Sequence, residues 1–178
     1  MKKTLFALTI CAAILAGIAP RAHAAAGDSI TFNMIRSAGA TCLENDAHAR
    51  VSISDLGPVQ NMHIEVFELA PNTDYTVFVI KTPNAPFIPG WYQGDISTDK
   101  RGRGVGDFTG IFDDETFIVE NPVVQMDHLG IWFADPNDAV KAGCVGTVTP
   151  FDGDHEAGIQ VLNTANFNDN KGPLLGLK

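Results

Sequence analysis

The residues that could do chemistry in this chain are few and scattered. Leaving aside His23, the histidines are His48, His63, His128 and His155. Neutral imidazole is a good ligand for zinc or copper. No pair among them has a His-x-His or His-Glu-x-x-His spacing. Surface or structural roles are expected for them. A metal or hydrolytic site would have to be assembled from separated residues, with His63, His128, Asp127 and Asp154 as its members. Calcium is served better, because Asp152, Asp154 and Glu156 place alternating carboxylates in one turn around Gly153. Asp113-Asp114-Glu115 is a second acidic turn. Calcium takes about six to eight oxygens, and neither segment has the spacing of an EF-hand loop. Exposed acidic clusters are ordinarily solvated. Calcium is the one cation these turns could recruit, and no other cofactor is expected.

Nucleophilic catalysis finds little support. Beyond the N-terminal apolar run the serines are Ser29, Ser37, Ser52, Ser54 and Ser97, none in a Gly-x-Ser-x-Gly elbow. A triad can still be built from distant residues. Gly102, Gly104 and Gly106 alternate in a hairpin context, without the strand-to-helix step that aims N–H groups at a phosphate. Carboxylates are abundant, but a glycosidase pair is recognised by separation and pKa asymmetry, which sequence does not give. Aromatics suggest binding instead. Pro83, Pro86 and Pro89 stiffen a loop that carries Phe87 and leads into Trp91 and Tyr92. A stiff loop costs little to order on binding, and its rings could stack on a sugar or pack on a protein. The alternative use of these rings is to close one end of the core.

Met1 to Ala24 reads as a secretory leader. Lys2 and Lys3 precede an apolar stretch from Leu5 to Ile18, and Ala22-His23-Ala24 ends it. Removing 24 of the 178 residues leaves 154. It takes away three of the 12 basic residues and none of the 21 acidic ones, so the net charge moves from −9 to −12. Such acidity argues against nucleic acid or anionic lipid as partner. No second apolar run is long enough to span a bilayer. A secreted protein, extracellular or periplasmic, is expected, with residues 25–178 forming one domain. Cys11 falls in the leader, so Cys42 and Cys144 remain as an even pair in an exported chain, and a disulfide between them is expected.

The elements that must position these residues read as strands. Short apolar or alternating runs cover 29–36, 49–56, 62–69, 75–80, 91–97, 105–112, 116–119, 129–133 and 158–162, separated by Gly, Pro, Asn and Asp. The 62–69 run changes phase between Val66 and Phe67, which predicts a bulge or burial on both faces. The 75–80 run is apolar on both parities, as expected of a central strand. One helix is predicted over 135–143, with Asp135 as N-cap, Pro136 at its first position and Gly143 as its stop. It would deliver Cys144 to its partner. The tail ends Pro173-Leu174-Leu175-Gly176-Leu177-Lys178, whose leucines are expected to dock.

Leu69-Ala70-Pro71-Asn72-Thr73-Asp74-Tyr75-Thr76-Val77-Phe78-Val79 resembles the tyrosine corner of fibronectin type III domains and related immunoglobulin-like sandwiches. Thr98-Asp99-Lys100-Arg101-Gly102 resembles a hairpin of secreted bacterial β-sandwich modules. The segments 130–133 and 149–155 resemble secreted bacterial proteins with no assigned role. Together these imply an all-β, immunoglobulin-like β-sandwich with extra strands and one short helix. The expected function is non-catalytic binding of a protein, glycan or small ligand through end loops, with Phe87, Trp91 and Tyr92 at the contact. A hydrolase or metal-binding protein with an assembled His/Asp site is the alternative.

Overall fold

Alternating side chains decide the architecture. In β1 (Ser29–Arg36), β2 (His48–Asp55) and β3 (Gln60–Phe67), every second residue is buried: Phe32 and Met34, then Ala49, Val51 and Ile53, then Met62, Ile64 and Val66. A strand's side chains alternate between faces, so one apolar parity gives one buried face. The computed structural model describes residues 29–87, 90–112, 117–118, 122–150 and 156–176. After β3 come β4 (Asp74–Ile80), β5 (Gly90–Ser97), β6 (Gly104–Gly110), β7 (Phe117–Ile118), β8 (Val124–Gln125) and β9 (His128–Phe133). Helix α1 (Pro136–Lys141), β10 (Thr149–Pro150), β11 (Glu156–Ala157), β12 (Gln160–Asn163) and a 3-10 turn over Pro173–Gly176 complete the order.

Eight strands form one antiparallel sheet in the order β5-β4-β9-β12-β1-β2-β3-β6. Its two edge strands, β5 and β6, are consecutive in the chain and meet at a bridge between Thr98 and Gly104. The sheet is therefore curled until it nearly closes around its apolar face. Among the described residues the all-β expectation and the single short helix hold. An immunoglobulin-like sandwich needs two facing sheets, and the long strands here belong to one continuous ladder. Two-stranded sheets β10-β11 and β7-β8 are additions to it.

The phase shift after Val66 has a different cause from the expected bulge. β3 alternates regularly to Phe67, and Glu68 then adopts φ 57°, turning the chain so that Leu69 enters the core. Phe67 stays outside, stacked on His48 with ring centroids 4.8 Å apart. The strand expected at 158–162 starts later, at Gln160, because Glu156–Ala157 pairs instead with Thr149–Pro150.

The Tyr75 corner is built as its chemistry requires. The buried Tyr75 Oη accepts a 2.9 Å hydrogen bond from Ala70 N–H, and burial pushes the phenol pKa up. Thr98 Oγ1 donates to Ala70 O (2.7 Å) and accepts from Thr73 N–H (3.0 Å), tying the same turn to the β5–β6 hairpin. In that hairpin Asp99 Oδ1 accepts from Arg101 N–H and Arg103 N–H, and these bonds hold its carboxyl below the usual range. Gly102 (φ 71°) packs on the Leu69 backbone so closely that a Cβ would collide with it.

Candidate functional site

The outer side of β4 and β9 carries a second apolar cluster. Phe78, Ile80, Trp132 and Ala157 are buried there, with Phe87 packed against them. Their burial explains why β4 reads as apolar on both parities: Tyr75, Val77 and Val79 face inward, Phe78 and Ile80 outward. Four rings run edge-to-face across this surface. Tyr92 meets Phe78 (5.9 Å), Phe78 meets Trp132 (5.4 Å), and Trp132 meets Phe87 (5.0 Å). Edge-to-face contacts align ring dipoles favourably beyond the area they bury.

The sequence grouped Phe87, Trp91 and Tyr92. The structure places Phe87 and Tyr92 at the two ends of this row and sends Trp91 to the other side, where it packs against the interior cluster. Adjacent strand residues point to opposite faces, so Trp91 and Tyr92 cannot share a surface. Tyr92 remains 55% exposed, and its hydroxyl donates to Asp95 Oδ2 (2.8 Å).

Phe87 has a fixed position because its loop is tied down twice. Thr82 Oγ1 donates toward Asn84 O (3.0 Å) and Pro86 O (2.7 Å). Buried Gln160 on β12 donates from Nε2 to Pro83 O (3.1 Å), while its Oε1 accepts from Ser37 Oγ (3.1 Å) and Asn163 Nδ2 (2.8 Å). Gln160 thus links the loop, β12 and the turn after β1. Beside it opens a groove of about 350 Å³, with Asn84, Ala85 and Phe87 on one wall and Val145, Thr147 and Thr149 on the other. Ser37, Ala38, Gly39, Ile159 and Gln160 complete the lining, and none of these side chains is charged.

The second wall is fixed by α1 and the disulfide. Asp135 caps α1 by accepting from Asn137 N–H (2.7 Å), with Pro136 next. At the other end Gly143 N–H donates to Val140 O and Cys144 N–H to Ala139 O, with Gly143 at φ 82°. That is the Schellman arrangement, which needs a permissive residue at the left-handed position. It hands the chain to Cys144, which is bonded to Cys42 with Cα atoms 5.0 Å apart. The expected helix and disulfide are both present, and together they root the 145–149 wall.

Comparison with protein-family models, with curated proteins and with solved structures finds no match.

The other expected site residues do not converge. Asp152 and Asp154 lie outside the described residues, as do Asp113, Asp114, Glu115 and His155. Glu156 is exposed and borders a second depression, between α1 and Val148. Among the described residues no group of three or more His, Cys, Asp or Glu side chains is placed to hold a metal. No helix among them is long and apolar enough to cross a membrane.

His63 and His128 occupy different strands with β12, β1 and β2 between them. His128 is fully buried. Its Nδ1 lies 2.8 Å from Thr164 Oγ1 and its Nε2 3.2 Å from Asn168 O. A carbonyl can only accept, so Nε2 carries the proton and Nδ1 accepts from Thr164. Burial lowers the His128 pKa, against the opposing pull of Asp127. Both ring nitrogens are engaged, which makes His128 a structural residue.

One juxtaposition was invisible in the sequence. The register sets Ser52 opposite His63, and His63 opposite Asp107. His63 Nδ1 lies 2.8 Å from Asp107 Oδ1. This is a serine, a histidine and an aspartate in one row, but no hydrogen bond among the described residues joins Ser52 to His63. Only strand pairing could have revealed the row.

Proposed function

We propose that this chain is an exported, non-catalytic binding protein that takes a neutral ligand of the glycan class in the groove between residues 84–87 and 145–149. The observation that carries the reading is the groove's lining. In a chain of net charge −9, its lining among the described residues offers only amides, hydroxyls and apolar groups. Neutral sugars present this pairing, with apolar C–H faces and hydroxyls that need hydrogen-bond partners. The walls are fixed by Gln160 on one side and the Cys42–Cys144 bond on the other. Preorganised walls lower the ordering cost of binding. Export is supported by the leader pattern of Met1–Ala24 and by a disulfide, a bond favoured in oxidising compartments. The Tyr75–Ala70 bond supports reading this turn as a tyrosine corner of the immunoglobulin-like kind.

Calorimetric titration with a panel of neutral oligosaccharides, repeated on Val145→Asp, tests the proposal. Val145 is 65% exposed on the groove wall, so the substitution leaves the fold intact. Saturable binding by the native protein, weakened tenfold or more in Val145→Asp at an unchanged melting temperature, is the expected result. No binding across the panel, or binding indifferent to Val145→Asp, overturns it.

A further inference from the structure

At the root of the 81–87 loop a lysine and a carboxylate face each other in an unusual setting. Ile80 pairs with His128 in the β4–β9 ladder, so one further step of the same antiparallel register sets Lys81 opposite Asp127. Asp127 is 1% exposed and Lys81 25% exposed at the side chain, with Nζ 3.7 Å from Oδ1. That is beyond hydrogen-bond length. Oδ1 has no hydrogen-bond partner among the described residues, while Oδ2 accepts from Gly172 N–H (3.0 Å). The carboxylate is closed over by the tail, since Leu174 N–H also donates to Asp127 O and Leu174 is fully buried.

As an ion pair this arrangement is poor. Burying a carboxylate is costly, and only close, well-bonded geometry offsets it. An amine nitrogen held this near a carboxyl group reacts as an intramolecular partner, where the effective concentration of the nucleophile is very high.

We propose that Lys81 and Asp127 condense to an isopeptide bond. Lys81 Nζ attacks Asp127 Cγ and a C–N bond forms. One C–O bond of the carboxyl group breaks, two protons pass from the nitrogen to the departing oxygen, and one water leaves. No oxidation state changes and no co-reactant is needed. The product is a neutral amide in place of a buried carboxylate and a partly exposed ammonium, and its carbonyl oxygen can keep the Gly172 N–H bond. The link would join the 81–87 loop covalently to the start of β9. It does not depend on what the groove binds.

Intact mass spectrometry of the reduced mature protein, followed by peptide mapping, tests this. The expected mass is lower than the sequence value by one water, with a branched peptide joining the segments that hold Lys81 and Asp127. Lys81→Arg keeps the positive charge but has no amine nucleophile, so its mass should match its sequence. The variant's mass is readable even if it folds badly. Three results overturn the proposal: a native mass with no loss of water, a loss mapped elsewhere (such as a cyclic imide at Asp152-Gly153), or the same loss retained in Lys81→Arg.

Discussion

The two outward surfaces of the curled sheet are made from the same kind of strand and do opposite things. Across β1, β2, β3 and β6 the outward residues include Asn33, Arg50, Ser52, His63, Glu65 and Asp107, and they meet solvent. Across β4 and β9 the outward residues include Phe78, Ile80, His128 and Trp132, and they are buried under the 81–87 loop, the tail and the segment after α1. The first surface gathers chemically suggestive types, even a Ser-His-Asp row, but water screens them. The second holds fewer such residues, yet its cover creates a groove, a buried histidine and a facing Lys–Asp pair. Reactive residue types matter less than the environment that excludes water around them.

Substitutions on the two surfaces should separate sharply. Trp132→Ala, which empties the middle of the ring row, should cost about 3–5 kcal/mol in denaturant unfolding. A cost below about 1 kcal/mol would mean that the cover contributes little. Losing the disulfide in a Cys42→Ser, Cys144→Ser double variant should cost about 2–5 kcal/mol, because it closes a separation of 102 residues. The same variant should weaken ligand binding, since one groove wall is rooted there.

Tyr75→Phe leaves Ala70 N–H without its acceptor and should cost about 1–3 kcal/mol, with no effect on the groove. His128 gives a pH signature. Burial depresses its folded pKa below the ordinary 6.5, so the unfolded chain binds the proton more readily. Its neutral form contributes fully above the unfolded value, and stability falls as pH drops below it. The melting temperature should decline from pH 7.5 to 5.5, by less in His128→Gln. Smallest of all, Ser52→Ala and His63→Ala should change stability by under about 0.5 kcal/mol. Labelling of Ser52 by a fluorophosphonate would break the comparison, because it would show that the solvated row is reactive.

Local order was legible because its causes are local. Period-two burial in β1–β3, the caps of α1 and the stop at Gly143 each depend on residues a few positions apart. The Cys42–Cys144 bond followed from the expected compartment and an even count, and the docked Leu174 from its apolar tail. The site was less legible. Phe87 and Tyr92 were named from the sequence, but Trp91 was grouped with them although strand alternation sends it inward. Gln160, which ties the groove together, gave no signal, since an amide's role depends on what surrounds it.

By itself the sequence determined the long strands to within a few residues, the inward parity, the helix caps and the paired cysteines, because hydrophobic period, φ preference and capping act over a few residues. Only the tertiary structure decided that eight strands would join into one nearly closed sheet. It alone decided which outer face would be covered, and it alone set Lys81 opposite Asp127 and Ser52 opposite His63. Those outcomes depend on strand order and register. These are fixed by contacts between residues far apart in the chain, where a slip of one position would turn every side chain to the other face.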